Sequence, residues 1–392
     1  MKKENLDFYL LARFIAAVLV IRQHIEFAYP NFHFLGQSWG WLLLGNDTSG
    51  GYAVIFFIFL SAFLISKNFF SGKYKFTLKG ILEFYYARAK RIFPLYYFVT
   101  FFTLFFVFPY LLETFYLSDN TYRSGLISIL TFNYYSGVQW NQVYWAVSIE
   151  MAFYAIAPFL LLAQSLVLRN KYITGVAFLA SFFGMNYLLA QPFVNSYTAL
   201  NYFPLILIAS LLAKTLHDFD LYSKDNKILS FVKNNIVKLS WFGFGLLYLS
   251  LCIPWYEQNI SQWMYITPSC IIFTVCVEMY DVARKNNLIK ISSGWLQGFI
   301  NHLGKLSFAI YLTHMLFLFR LNELYANYFL SCFGYLRAKY LMLGLTLTIT
   351  VVVANFLYNT VEIPGAKWFD DIRSTLSLKF GLIHNWLLSK IK

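Results

Sequence analysis

The chain has 392 residues, of which 59% are hydrophobic and 12% are charged. A soluble domain carries about 25% charged residues, so the composition excludes a water-soluble globular enzyme, which would lack the side chains to cover its surface. The net charge of +13 sits in short segments between apolar runs, which points to membrane topology and away from nucleic acid.

Taken in chain order, ten apolar runs are long enough to span a bilayer: about 8–29, 46–66, 92–112, 143–165, 172–190, 197–214, 237–255, 262–281, 303–321 and 339–361. The expected fold is an all-α polytopic membrane protein of about ten transmembrane helices. Residues 1–365 form one membrane domain and 366–392 a cytoplasmic C-terminal tail. The first run lacks a small-residue cleavage site and continues into the body of the protein, so no cleaved signal peptide is expected. With the N-terminus inside, the inner segments hold 25 of the 31 Lys and Arg residues. That asymmetry places both termini in the cytoplasm.

The first run, Ala12 to Phe27, carries Arg13, Arg22, His24 and Glu26. Arg13 and His24 are eleven residues apart, about three helical turns, so both project from one face and differ by about 16 Å in depth. Arg22 falls on the opposite side of the helix and is expected to snorkel to the outer interface, where Glu26 is solvated. The fourth run enters through Tyr144, Trp145 and Ser148 to Glu150, about two turns below the outer surface. The ninth climbs through Ser307 and Tyr311 to His314 at a similar depth. His24, Glu150 and His314 are therefore expected at one level. Ionisable groups inside a membrane are functional candidates by default. A histidine there can accept a proton near neutral pH, with a carboxylate holding its tautomer. No Ser, Cys or Lys lies in a nucleophile motif, which favours direct transfer assisted by a base, with an acyl-imidazole on His24 as the alternative.

Residues 72–91 mix aromatics with Lys and Arg and are expected along the inner interface. They end in Arg88, Lys90 and Arg91 ahead of Pro94, a cation cluster suited either to phosphate groups or to simple anchoring. Segments 30–45 and 113–142, rich in Trp, Tyr, Asn and Gln, read either as an interfacial aromatic belt or as a platform for sugar rings. Cys252, Cys270, Cys276 and Cys332 lack metal-ligand spacing, so neither a disulfide nor a metal site is expected.

These motifs resemble the integral-membrane acyltransferase-3 family. Asp7 and Arg13, then ten residues to His24, are similar to its first-helix signature. Phe56 to Leu64, containing Ser61, is similar to its FFxxSGFL segment. Arg88, Arg91 and Pro94 resemble its arginine motif. Trp145, Ser148, Glu150, Phe153 and Tyr154 match its WSLSxExxFY segment. Gly304, Ser307, Tyr311 and His314, then Val361, Glu362 and Pro364, fit the closing elements. Three departures stand out. Ala62 replaces a usual Gly and Met151 replaces a second carboxylate, and no hydrolase-like domain is expected after the membrane part.

The resemblance implies a bacterial plasma-membrane O-acyltransferase. It would move an acyl group, acetyl above all, from cytoplasmic acyl-CoA to a hydroxyl of a cell-surface glycan or its lipid-linked precursor. In that scheme Arg88, Lys90, Arg91 and Arg13 hold the donor, while His24, Glu150 and Arg13 form the catalytic set. Asp7, Ser61, Trp145, Ser148, Tyr154, Tyr311 and His314 bind substrate or support the fold, and no metal takes part. A small molecule or lipid acceptor is the nearest rival. A proton-coupled secondary transporter would require two related halves, which the sequence lacks. A glycan polymerase or flippase leaves the Arg13–His24 pair unexplained. Assembly into a homo-oligomer is left open.

Overall fold

The computed structural model describes residues 4–25, 33–34, 37–38, 49–107, 143–189, 199–221, 233–252, 263–288 and 294–375. Glu26, nearly all of the aromatic segments 30–45 and 113–142, and the final residues 376–392 lie outside them. The described α-helices include α1 Phe8–His24, α2 Ser49–Phe70, α3 Leu78–Phe102, α4 Tyr144–Val167, α5 Lys171–Leu189, α6 Ala199–Asp218, α7 Ile236–Cys252, α8 Trp263–Lys285, α9 Trp295–Lys305, α10 Ser307–Leu324, the short α11 Leu330–Phe333, and α12 Tyr335–Leu357. The fold is all-α apart from a two-residue antiparallel pairing of His33–Phe34 with Gln37–Ser38 and a bridge between Glu4 and Gly294. Among the described residues, four helical stretches are long and apolar enough to cross a membrane: Ser49–Phe70, Tyr144–Val167, Ile266–Lys285 and Arg337–Thr375. Shorter apolar helices occupy Lys171–Gly184, Ile236–Cys252 and Ser307–Leu318.

α1 is the hub, packing against α2, α7, α9, α10 and α12. Its small residues Ala12, Ala16 and Ala17 are buried and let neighbouring helices approach. Asp7 starts the helix: its carboxyl accepts the backbone N–H groups of Tyr9 at 2.9 Å and Leu10 at 3.1 Å. Asn301 of α9 clasps the same turn, accepting the N–H of Asp7 at 2.9 Å and donating to Asn5 O at 2.8 Å. α9 can lie this close because residue 304 is glycine. A Cβ there would sit 2.3 Å from Leu10 O.

Two expectations change. The boundary expected between the segment 72–91 and the run beginning at 92 is absent: α3 runs unbroken from Leu78 through Pro94 to Phe102 and continues as a π-helical turn over Thr103–Val107. Thr77 caps it through Gly80 N at 3.2 Å. The last helix does not stop near residue 361: a π-helical turn at Tyr358–Glu362 joins α12 to further helix as far as Thr375. This turn packs against α3, and Gly365 sits so near Pro94 that a Cβ would come within 2.5 Å of Pro94 Cβ.

Apolar side chains are not confined to the core. Phe105, Phe106, Phe159, Phe183, Val352 and Phe356 are all more than half exposed, an arrangement that suits lipid and would penalise contact with water.

Candidate active site

α1, α2, α4 and α10 enclose a narrow cavity of about 40 Å³, room for a few water-sized groups. Arg13 from α1 and Glu150 from α4 supply its charge. Ser307 and Tyr311 of α10 add hydroxyls, and Val54, Phe57, Ile58, Ala146, Val147 and Phe308 complete an apolar wall.

Glu150 is held at both oxygens. Ser61 Oγ donates to Oε1 at 2.5 Å and Tyr154 Oη donates to Oε2 at 3.2 Å. The first bond joins α2 to α4. The second uses the four-residue spacing that puts two side chains on one helical face. The guanidinium of Arg88 lies over the rings of Tyr154 at 5.8 Å and Phe84 at 5.7 Å, a stacking for which arginine is suited. Its Nε is buried with no hydrogen-bond partner among the described residues. Arg91, Glu150, Tyr154 and Asp7 are within electrostatic reach of Arg13, and Glu362 within reach of both arginines.

The level expected to unite His24, Glu150 and His314 divides in two. Glu150 belongs with Arg13. Among the described residues it makes no hydrogen bond or ion pair with His24. The reason is packing: α4 sits against α2, α3 and α6, and Ser61 and Tyr154 secure Glu150 on that side. His24 and His314 do meet, with His314 Nε2 3.3 Å from His24 Nδ1. Each Nδ1 also faces a backbone carbonyl one turn earlier, Val20 O at 3.1 Å for His24 and Tyr311 O at 2.8 Å for His314. His314 is fully buried and His24 half-buried. Tyr311 links the two levels, since its ring borders the cavity and its hydroxyl donates to Val143 O at 2.9 Å.

Three further residues differ from expectation. Arg22 does not snorkel. It is 1% exposed, the largest fully buried side chain described, within electrostatic reach of Cys252 on α7. Lys339, at the edge of the run expected over 339–361, is a buried residue of α12 whose Nζ donates to Ile25 O at 2.7 Å and lies 4.7 Å from the Tyr325 ring centroid. It thereby closes the C-terminal end of α1. Lys90 leaves the Arg88–Arg91 face and pairs with Asp370 at 2.9 Å. The remaining candidates keep local roles. Trp145 packs against Tyr202, and Ser148 Oγ donates to Tyr144 O at 3.2 Å. Asp7 serves as the α1 cap.

Two carboxyl groups escaped the sequence reading. Glu362 was visible only as part of a motif. Its Oε2 is buried without a hydrogen-bond partner among the described residues, facing the two arginines. Glu278 of α8 is buried, accepts from Tyr9 Oη at 2.8 Å and pairs with Lys67 of α2. The signal for it was present, an acid inside the apolar run 262–281.

A family model described as an acyltransferase domain matches residues 6–368. Comparison with curated proteins and with solved structures returned no match. The match takes in every motif residue placed above, from Asp7 to Pro364, and four of the described helical stretches are long and apolar enough to cross a bilayer. The chain belongs to the acyltransferase-3 family and is a membrane acyltransferase.

Proposed function

We propose that the protein is an O-acyltransferase of the bacterial plasma membrane, transferring an acetyl group from cytoplasmic acetyl-CoA to a hydroxyl of a cell-surface glycan or its lipid-linked precursor. The observation that carries this reading is the division of one helix into two chemical ends. α1 holds Arg13 in the cavity with Glu150 and, three turns further on, His24 against His314. The cationic end, with Arg88 and Arg91 close by, suits the phosphates of a CoA donor. The apolar wall of the Arg13 cavity suits the thioester end of such a donor. The histidine end suits an acceptor arriving from the opposite side.

In this scheme His24 removes the proton of the acceptor hydroxyl as its oxygen attacks the thioester carbonyl. The carbon–sulfur bond then breaks, and the leaving thiolate takes the proton back from the imidazolium. An ester and free CoA thiol result, with no oxidant or metal called on. Both termini would face the cytoplasm, where the Lys and Arg bias puts them.

Surface glycans from cells with and without the protein test the assignment. An ester present only with the protein supports it. Identical glycans, together with an acylated lipid or small molecule, would move the acceptor to another class.

A further inference from the structure

The contact between His24 and His314 fixes more than proximity. A carbonyl oxygen can only accept a hydrogen bond, so a ring nitrogen facing one carries the proton. His314 Nδ1, 2.8 Å from Tyr311 O, is therefore protonated, and in the neutral ring its Nε2 is bare. His24 Nδ1 faces Val20 O at 3.1 Å and is protonated for the same reason. The two assignments agree with each other: the His24 Nδ1–H is shared between Val20 O and the bare Nε2 of His314, 3.3 Å away. The nitrogen left without a proton on His24 is Nε2. It has no hydrogen-bond partner among the described residues, on a ring that is only half-buried.

We infer that His314 is a positioning residue for His24, holding the His24 ring through Nδ1 in the tautomer that leaves Nε2 as its basic atom. This inference rests on the reading of His24 as the base. It gives His314 the task that a carboxylate performs in a Ser-His-Asp arrangement, orienting the imidazole and accepting from its far nitrogen. Glu150, the carboxyl expected to do this, is engaged by Ser61 and Tyr154 instead. When Nε2 takes the proton of the acceptor hydroxyl, the imidazolium keeps Nδ1–H directed at His314 Nε2, and the proton leaves again from Nε2 to the thiolate. His314 itself gains and loses nothing.

His314 is fully buried, so its loss could disturb packing, and the test uses substitutions that separate the two contacts. Glutamine can present an acceptor oxygen where His314 Nε2 lies. Asparagine mimics only the Nδ1 side and reaches the Tyr311 carbonyl alone. Membranes with His314→Leu, His314→Gln, His314→Asn and His24→Ala, matched for protein abundance, would be assayed for transfer of radiolabelled acetyl from acetyl-CoA to the cells' glycan fraction. His314→Leu and His314→Asn should lower kcat roughly 10- to 100-fold at unchanged KM for acetyl-CoA, the scale of a mispositioned general base. His314→Gln should recover to within about threefold of wild type. Recovery by asparagine and not by glutamine would assign His314 a packing role and overturn the inference. So would wild-type kcat in His314→Leu when His24→Ala is inactive. An active His24→Ala, or wild-type membranes that transfer no label, would instead defeat the reading of His24 as an acetyl-CoA-dependent base. A readout independent of turnover is nitrogen-15 NMR of histidine-labelled protein in membranes. Both rings should be protonated at Nδ1, and a His24 ring protonated at Nε2 contradicts the inference directly.

Discussion

Ser61 on α2 donates a 2.5 Å hydrogen bond to Glu150 Oε1 on α4, joining two motifs that are 89 residues apart. With Tyr154 on the other oxygen, the carboxyl is oriented into the Arg13 cavity before any substrate arrives. A hydrogen bond to a carboxylate is worth about 1.5–3 kcal/mol, so Ser61→Ala should lower both melting temperature and acyl transfer. Glu150→Gln should keep the bond to Ser61 in altered polarity and lose more activity than stability. Thermal unfolding of purified protein beside membrane assays checks the pair. Equal activity in both variants and wild type would leave Glu150 a packing residue.

Helix approach at two glycines makes a second prediction. Gly304→Ala would drive a Cβ to 2.3 Å from the backbone oxygen of Leu10, and Gly365→Ala would bring one to 2.5 Å from Pro94 Cβ. Overpacking of this kind costs about 1–3 kcal/mol, and the backbone contact yields less readily than the proline ring. Gly344 has open space around its Cβ position, so Gly344→Ala should be neutral or slightly stabilising through helix propensity. Melting temperatures should rank Gly344→Ala highest and Gly304→Ala lowest.

Lys67 and Glu278 join α2 to α8, with Tyr9 of α1 as the third member. Removing one partner of a buried pair costs roughly 3–5 kcal/mol, whereas replacing both with apolar residues is often neutral. Lys67→Met alone should therefore destabilise more than Lys67→Met combined with Glu278→Leu. Unfolding midpoints of the two variants decide this, and a double variant less stable than the single would overturn it.

Arg88, Lys90 and Arg91 adjoin in sequence but not in task. Lys90 is engaged with Asp370 on an exposed surface, where ion pairs contribute about 0–1 kcal/mol. Lys90→Ala should leave apparent affinity for acyl-CoA unchanged. Arg91→Ala should raise KM about tenfold, in proportion to one charge-assisted phosphate contact, with kcat less affected. Equal KM values for the two variants would assign the cluster to anchoring.

The helices were legible because apolar run length and motif spacing are local properties. Helical residues fall in each of the ten predicted ranges, though only four described stretches are long and apolar enough to cross a membrane, and the Arg13–His24 spacing holds because α1 is unbroken from Phe8 to His24. What stayed hidden depends on which helices meet. Depth counted from the end of each run put Glu150 beside His24, but its partner is on α2, a relation that no single run contains. Arg22 looked free to snorkel on a helical wheel of α1 alone, yet α7 lies within reach of it. Lys339 stands at the edge of an apolar run, and only the packing of α12 beside α1 places it against Ile25 O. Asp7 was legible as a cap from its position one residue before the helix, though the motif drew attention to Arg13 instead.

The most direct measurement is acyl transfer by the His24→Ala variant in membranes holding as much protein as wild type. Label from acetyl-CoA should no longer reach the glycan, while the variant keeps the melting temperature of wild type to within a few degrees. Undiminished transfer by His24→Ala would show that His24 is not the base.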